Sequence, residues 1–351
     1  MTNKIGAAMT RRVALRLGGA ATLVAAMPMP HVWAQAAGVP LKFSLNLPRN
    51  GTNTPFIHAL ERGYFAAEGI KITAMDPGLG ADALQRVATE TYDASFTDLP
   101  LLAELHAKNA EQTPLGVFNI FNVTPTCVVS WKSANLQKPA DLIGRTLGGP
   151  VTDSGYRLFP VFFRANKLDP ASVKFNNMDL RLREAMFVKK EVDAITGFDA
   201  TIWFNLKSQG IKFEDISIMY YADHGLDLYS NSVIVSRKFL RDHAAAITPF
   251  LRAVAKGWRD ALADSKAPAV AAVKVDPLVN GPLETERLEW VLAHQVSTPE
   301  VREFGLGTVQ RARLARNIDM LVDGFQLTSK APVDAIWTDR FLPPLAERRI
   351  G

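Results

Sequence analysis

Apolar and polar residues alternate strictly over residues 41–47, where the odd positions are Leu or Phe and the even positions are Lys, Ser and Asn. A period of two is typical of a β-strand with one buried face. Residues 48–53 are rich in Pro, Gly and Asn and predict a turn. Apolar residues then recur at helical spacing up to Gly69, with Thr54 expected as the N-cap and Pro55 as the first helical residue. The pattern predicts a strand, a polar loop and a helix.

The same alternation of short strands and amphipathic helices continues to about residue 236. Nine further strands are predicted at 71–75, 93–98, 115–121, 127–131, 145–148, 173–178, 194–198, 216–221 and 232–236. Helices between them are predicted at 81–89, 101–108, 156–166, 182–190 and 201–209. Beyond residue 242 only helical patterns remain, at 244–264, 268–275, 284–296, 308–324 and 333–337. This order predicts an α/β fold with parallel-rich sheets covered by helices on both faces.

The first 36 residues have the pattern of an export signal. Arg11 and Arg12 precede an apolar run over residues 17–27, and the segment ends in the small-x-small sequence 34–36. These features are typical of a secretory signal peptide, and the apolar run is too short to span a bilayer. We therefore expect export to the periplasm by the twin-arginine or the general secretory route, a mature chain that begins near Ala37, and no stable membrane insertion.

Charge and cysteine content exclude several classes of function. The leader carries four of the 40 basic residues and no acidic ones, so the formal net charge falls from +5 to +1 without it. Nucleic-acid binding is therefore not expected. The single cysteine, Cys127, makes no internal disulfide and no Cys-based metal site. The six histidines show no i, i+3 or i, i+4 pair, and no Gly-x-Ser-x-Gly motif occurs, so neither an enzyme nor a cofactor is predicted.

One helix carries a family resemblance. Residues 59–70 read ALERGYFAAEGI, which resembles the first-helix signature of ABC-importer solute receptors, [K/R]-G-[Y/F]-F followed by E-G-[I/L]. The branch that it resembles is the thiamine-pyrimidine, nitrate and sulfonate-binding (SsuA/THI5-like) family. The resemblance continues through Thr97-Asp98 and residues 141–145 to about residue 260. It implies a type II periplasmic-binding-protein fold, with two doubly wound lobes, a ligand cleft between them and C-terminal helices.

The resemblance also implies domain bounds and partners. Lobe 1 is predicted to comprise residues 37–122 and 230–351, including the C-terminal helices, and lobe 2 residues 123–229. A receptor of this family is expected to be a monomer that binds a small molecule and delivers it to an ABC importer permease.

Such a receptor closes on its ligand, so contacts are expected in loops at the carboxyl ends of strands from both lobes. From lobe 1 the predicted ligand-binding residues are Asn46, Arg49, Asn50, Thr52, Asn53, Thr97, Asp98, Phe121 and Asn122. From lobe 2 and the return crossing they are Asp153, Ser154, Gly155, Tyr156, Phe198, Asp199, Trp203, Tyr229 and Asn231.

Several of these residues also suit a purely structural role. Asn50 suits a turn, Asp153 suits the N-cap of the helix that follows it, and Asp98 suits the cap of the next helix in lobe 1. Tyr156 and Trp203 are equally consistent with core aromatic residues.

In the pyrimidine-binding branch the first loop has approximately the sequence Trp-Thr-Pro-Asn-Thr-Asn-His. Aligned on the following helix, Asn50 and Thr52 take the places of the two Asn residues. Asn53 replaces the His and Leu47 replaces the Trp.

The predicted contacts contain more amides, carboxylates and rings than cations, which favours a small pyrimidine-like N-heteroaromatic ligand. A sulfonate, nitrate or aromatic-acid ligand is the competing hypothesis, with Arg49 and Arg157 as donors. The fold is also compatible with a periplasmic enzyme and with a ligand-sensing module that docks on a signalling protein.

Overall fold

The computed structural model describes residues 38–47, 50–78 and 80–351, which contain two five-stranded sheets. The first sheet has the order β2-β1-β3-β10-β4. Its strands are β1 Val39–Ser44, β2 Ile70–Asp76, β3 Ala94–Asp98, β4 Leu115–Asn119 and β10 Asn231–Val235. β1 is parallel to β2 and to β3, and β10 is antiparallel to β3 and to β4.

The second sheet has the order β7-β6-β8-β5-β9. Its strands are β5 Thr126–Trp131, β6 Thr146–Gly149, β7 Lys174–Asn177, β8 Ala194–Phe198 and β9 Ile216–Tyr220. β6 is parallel to β7 and β8, and β5 is antiparallel to β8 and β9. The ten predicted strands and the predicted α/β class are confirmed.

Helices cover both sheets and form the C-terminal part of the chain. In the first half they are α1 Thr54–Glu61, α2 Tyr64–Ala67, α3 Ala81–Ala88, α4 Pro100–Lys108, α5 Ser154–Ala165, α6 Arg183–Val188 and α7 Asp199–Ser208. In the second half they are α8 Arg237–Asp242, α9 Ala244–Ala263, α10 Lys266–Val275, α11 Gly281–Val291, α12 Pro299–Phe304, α13 Arg311–Phe325, α14 Val333–Ile336 and α15 Leu345–Arg348. A π-helical turn, Leu292–Val296, follows α11 directly.

Two details of the first helix differ from the prediction. The helix expected to continue up to Gly69 is divided at Gly63, whose φ of 70° lies in the left-handed region that glycine adopts without strain. Asn53, not Thr54, is the N-cap. Thr54 lies inside the helix, where its hydroxyl donates to the carbonyl oxygen of Gly51. The sequence pattern does not predict α8, α12 and α15, which are four to six residues long.

The signature ALERGYFAAEGI joins α2 to the long helix α9. Phe65 stacks on Phe250 of α9 at 5.6 Å, and the Tyr64 hydroxyl donates to Asp260 at 2.5 Å. Glu68 pairs with Arg252 at 2.6 Å. The family signature therefore builds the core of the first sheet's layer and does not contact the cleft described below.

Two chain segments, 120–125 and 221–230, cross between the sheets and are hydrogen-bonded to each other. Ser230 donates its N–H to the carbonyl oxygen of Phe121, and Thr124 donates to that of Leu228. The predicted lobe boundaries fall within these crossings and remain predictions.

Within the described ranges, none of the helices is both long enough and apolar enough to cross a membrane. The predicted export signal, residues 1–36, and the predicted contact Arg49 lie outside the described residues.

Candidate functional site

The carboxyl ends of strands from the two sheets meet around one small cavity of about 20 Å³. Its lining comes from the ends of β1, β2 and β3, the start of β10, the segment after β6, and the junction of β8 with α7. The residues are Asn46, Leu47, Gly80, Thr97, Asp98, Asp153, Ser154, Phe198, Thr201 and Asn231. This is the place where α/β sheets bind small molecules.

Five buried polar atoms of these lining residues have no hydrogen-bond partner among the described residues. They are Asn46 Oδ1, Thr97 Oγ1, Asp98 Oδ2, Thr201 Oγ1 and Asn231 Nδ2. A buried polar group without a partner costs about 1–3 kcal/mol. Five such atoms around one cavity are placed to meet the polar groups of a bound molecule.

Asp98 has the most perturbed environment in the cavity. Its Oδ1 accepts from the Ser230 hydroxyl at 2.8 Å, whereas no described residue donates a well-formed hydrogen bond to its Oδ2. Burial raises the pKa of Asp98 to about 6, and the hydroxyls of Ser154 and Ser230 offset this only in part. Asp153 raises the pKa further because it is a second carboxylate nearby.

The opposite wall is built at two helix starts. Asp153 is the N-cap of α5, as predicted, and its Oδ1 accepts from the N–H of Gly155 at 2.7 Å. Burial raises the pKa of Asp153, and the buried cation of Arg183 opposes that shift. Phe198 ends β8 and presents the aromatic ring of this wall, with Thr201 in the first turn of α7.

At one edge of the cavity, Gly80 meets Thr152. The N–H of Ala81 donates to the Thr152 carbonyl oxygen at 3.0 Å. A Cβ atom on Gly80 would lie 2.0 Å from the same oxygen. Arg157 of α5 also pairs with Glu104 of α4. These contacts join the two walls directly.

The cavity has room for about one water molecule. Pockets that hold small organic ligands are generally about 300–1,000 Å³. A ring-sized ligand therefore requires the two walls to move apart, as expected for a receptor that opens and closes.

Three predicted contacts lie in or beside the crossings and not in the cavity lining. Phe121 packs edge-on against Phe96 at 5.3 Å. Asn122 donates to Glu300 and accepts from Thr298, and the Tyr229 hydroxyl donates to the same Glu300 at 2.6 Å. These side chains brace the crossings against the C-terminal helices.

Three predicted contacts on the second sheet's side also lie outside the lining. Asp199 Oδ2 accepts from Trp290, Tyr220 and Gln295. Trp203 packs against Phe213 at 5.0 Å. Tyr156, predicted as a contact or a core aromatic, packs edge-on against Phe175 at 4.8 Å.

The remaining predicted contacts shape the loops. Asn50 Oδ1 accepts from the N–H and the hydroxyl of Thr52, so Asn50 makes the turn that its sequence context suits. Asn53 donates to the carbonyl oxygen of Leu47 at 3.3 Å. A Cβ atom on Gly155 would lie 2.4 Å from the nitrogen of Gly197, so this position needs glycine to let α5 approach β8.

The cavity lining therefore contains seven predicted residues: Asn46, Thr97, Asp98, Asp153, Ser154, Phe198 and Asn231. Asp98 is not the cap of α4, because Leu99 occupies that position. Thr201 lines the cavity although the sequence pattern predicts it only as a helical residue. Its place in the first turn of α7, directly after β8, is the signal that could have identified it.

No group of three His, Cys, Asp or Glu side chains in the described part of the chain is placed to hold a metal ion. Cys127 is fully buried, and burial raises the pKa of its thiol well above the usual range.

Comparison with known proteins shows which family this chain resembles. The family model described as NMT1/THI5 like matches residues 50–267. The riboflavin-binding protein RibY of Chloroflexus aurantiacus is 24% identical over 296 residues, 82% of this chain and 82% of that protein. The formylaminopyrimidine-binding protein of Halalkalibacterium halodurans is 24% identical over 212 residues, 60% of this chain and 62% of that protein.

A third relative has the name of an enzyme. The 4-amino-5-hydroxymethyl-2-methylpyrimidine phosphate synthase of Legionella pneumophila is 23% identical over 154 residues, 44% of this chain and 48% of that protein.

The fold also matches a solved structure. The periplasmic aliphatic sulphonate binding protein SsuA of Escherichia coli superposes with a TM-score of 0.66 at 13% identity, over 85% of this chain and 92% of that one. The predicted periplasmic-binding-protein fold is thereby confirmed. Because the family model spans more than half of the chain, this protein belongs to the NMT1/THI5-like family.

Proposed function

We propose that this protein is an exported solute receptor that binds a small, neutral N-heteroaromatic compound between its two sheets and delivers it to an ABC importer permease. The observation that carries the proposal is the cluster of five buried polar atoms in the cavity that have no hydrogen-bond partner among the described residues. Hydrogen-bond acceptors and hydroxyls dominate this cluster, and a nitrogen heterocycle with amino groups supplies the complementary donors and acceptors.

The charges around the cavity disfavour an anion. Asp98 and Asp153 both line it, and none of its described lining residues is Lys or Arg. Arg157, an expected donor to an anionic ligand, instead pairs with Glu104. A sulfonate here would face the carboxylates of Asp98 and Asp153. Arg183 lies 3.6 Å from Asp153 but is not part of the described lining, so the sulfonate itself would lack a cation, which is unfavourable in a buried site.

The apolar part of the lining suits a ring. Phe198 and Leu47 are both buried and lie on opposite walls. A flat heterocycle between them would bury both faces while its edge meets the amides and Asp98. Two of the relatives have names that specify nitrogen heterocycles, riboflavin and formylaminopyrimidine, which supports the same ligand class.

An enzyme is the second candidate, favoured only by the relative named as a synthase. The sole thiol, Cys127, is not part of the cavity lining. We therefore propose binding without turnover. The proposed periplasmic location rests on the leader sequence and on the periplasmic protein of similar fold. The proposed permease partner rests on the resemblance of residues 59–70 to ABC-importer solute receptors.

Calorimetry and thermal unfolding of the mature protein with 4-aminopyrimidine, riboflavin and an alkanesulfonate test the proposal. A ligand present at a hundred times its Kd stabilises the fold by about 2.7 kcal/mol. We expect a heterocycle to raise the Tm and to be recovered chemically unchanged. Stabilisation by the sulfonate alone would overturn the ligand class, and a modified heterocycle after incubation would favour an enzyme.

A further inference from the structure

A line of polar side chains runs behind the cavity and joins its two walls. It begins at Gly51, in the turn that follows β1. The N–H of Gly51 donates to Glu284 Oε2 at 2.5 Å, and the same oxygen accepts from Arg287 Nε at 2.8 Å. Glu284 and Arg287 lie one turn apart on α11 and are 7% and 3% exposed. This ion pair is buried, yet neither member lines the cavity.

Arg287 continues the line to the opposite wall. Its Nη1 donates to the carbonyl oxygens of Ala200 and Thr201, at 3.1 and 3.3 Å, in the first turn of α7. Its Nη2 donates to Asn205 Oδ1 at 3.2 Å. Thr201 lines the cavity. One guanidinium group therefore connects the carboxylate that holds the Gly51 turn to the helix that bears a cavity residue.

The line ends at a cavity carboxylate. Asn205 Nδ2 donates to Glu184 Oε1 at 3.3 Å, and Arg183 donates to that oxygen from Nη2 at 2.7 Å and from Nε at 3.1 Å. Arg183 Nη1 lies 3.6 Å from Asp153 Oδ2. Arg183 is fully buried and Glu184 nearly so. Asp153, the N-cap of α5, is thus tied through these side chains to the turn at Gly51.

We propose that this polar line sets the position of the two cavity walls relative to each other, with Arg287 as its central positioning residue. Removal of Arg287 leaves Glu284 as a buried carboxylate without its cation and leaves Asn205 without its donor. Such groups are strongly disfavoured, so the elements that hold them relax. The consequence is a loosening at both ends of the line, on the Gly51 turn and at the start of α5. The proposal rests on the proposed function only in treating the cavity as the binding site.

Amide hydrogen exchange of the full mature protein tests this without any ligand. In Arg287→Met we expect the amides of Gly51 and Gly155 to exchange at least tenfold faster than in the wild type. Arg237→Met is the matched control, because Arg237 also donates to backbone carbonyls, those of Thr113 and Ala335, but lies outside the line. Faster exchange confined to α7 and α11, with Gly51 and Gly155 unchanged, would overturn the proposal.

A second variant covers the case in which Arg287→Met does not fold. Glu284→Gln keeps one oxygen as an acceptor for the Gly51 N–H, removes the charge, and replaces the other oxygen, which accepts from Arg287 Nη2, with an NH2 group. We expect a smaller acceleration, still present at both Gly51 and Gly155, whereas an effect at Gly51 alone would contradict coupling along the line.

Calorimetry with 4-aminopyrimidine supplies the functional readout. If the wild type binds this probe, we expect Arg287→Met to weaken binding at least tenfold and Arg237→Met to leave it unchanged. Unaltered affinity in Arg287→Met would overturn the positioning role. If the wild type binds no heterocycle, the proposed ligand class fails, and the exchange data still decide whether the line couples the walls.

Discussion

The N–H of Ala81 donates a hydrogen bond of 3.0 Å to the carbonyl oxygen of Thr152, and this contact joins the segment after β2 in the first sheet to the segment after β6 in the second. Both partners are backbone groups, so the bond does not depend on side-chain chemistry. Closure at this contact instead requires that the preceding residue, Gly80, have no side chain, because its φ of 48° and its closeness to Thr152 leave no room for one.

Gly80→Ala should therefore prevent the walls from meeting. A Cβ atom 2.0 Å from the Thr152 oxygen requires the backbone to move. We expect the free protein to leave this closed arrangement, which has no room for a ring-sized ligand, and to have a larger radius of gyration. Gly69→Ala is the control, since Gly69 also has a positive φ, 73°, but no atom lies near its missing Cβ. Small-angle X-ray scattering on both variants separates the clash from the effect of a positive φ, and an unchanged radius of gyration in Gly80→Ala would contradict the closure argument.

A second prediction separates two aromatic residues of the second sheet's layer. Phe198 lines the cavity, whereas Tyr156 packs against Phe175 outside the lining. Phe198→Ala should weaken ligand binding by about 1–3 kcal/mol because a ring face is lost. Tyr156→Ala should lower the Tm and leave the affinity per folded molecule unchanged. Binding titrations corrected for the folded fraction test both, and a loss of affinity confined to Tyr156→Ala would assign the ring contact to Tyr156 instead of Phe198.

A third prediction concerns export. The arginine pair, the apolar run and the small residues at 34–36 predict removal of the leader, with the mature chain beginning near Ala37. N-terminal sequencing of the protein isolated from the periplasm of its native host checks this. Protein recovered with residues 1–36 intact would contradict it.

The strands were predictable because each is a short apolar run bounded by turn residues, a local pattern that tertiary contacts reinforce. The cavity was partly predictable for a topological reason. Asn46, Asp98, Ser154 and Phe198 lie at or just after the carboxyl ends of strands, and such ends converge in α/β folds.

The same rule failed to separate binding residues from crossing residues. Asn122 and Tyr229 also lie next to strands, but both contact Glu300 of α12, which is 178 and 71 residues further along the chain. That long-range contact leaves no trace in the local sequence pattern. The hydrogen-bonded line through Arg287 could not be predicted from the sequence either, since an i, i+3 ion pair on a helix usually indicates a solvated surface pair.

The last prediction follows from the buried carboxylate of Asp98. Burial raises its pKa to about 6 in the folded protein, whereas the unfolded chain titrates near the ordinary value of about 3.9. Between these pH values the folded state binds more protons than the unfolded state, so the ionisation of Asp98 lowers the free energy of unfolding as the pH rises toward 6. Above pH 6 this loss of stability stays constant. Asp98→Asn removes the charge. We expect it to raise the free energy of unfolding at pH 8 by about 1–3 kcal/mol, with the gain shrinking between pH 6 and pH 4 as wild-type Asp98 becomes protonated.

Urea unfolding of the wild type and of Asp98→Asn at pH 8, 6, 5 and 4 measures this difference. Asp76→Asn is the control, because Asp76 ends β2 and accepts a hydrogen bond from Tyr92 but does not line the cavity. The same substitution should weaken binding of a heterocycle that donates an N–H to Oδ2, since an ionised acceptor is stronger than an amide. Wild-type affinity should likewise fall as the pH drops below 6. If Asp98 binds the ligand, we expect Asp98→Asn to be more stable and to bind less well. Lower stability at pH 8 with unchanged affinity would show that Asp98 serves the fold alone.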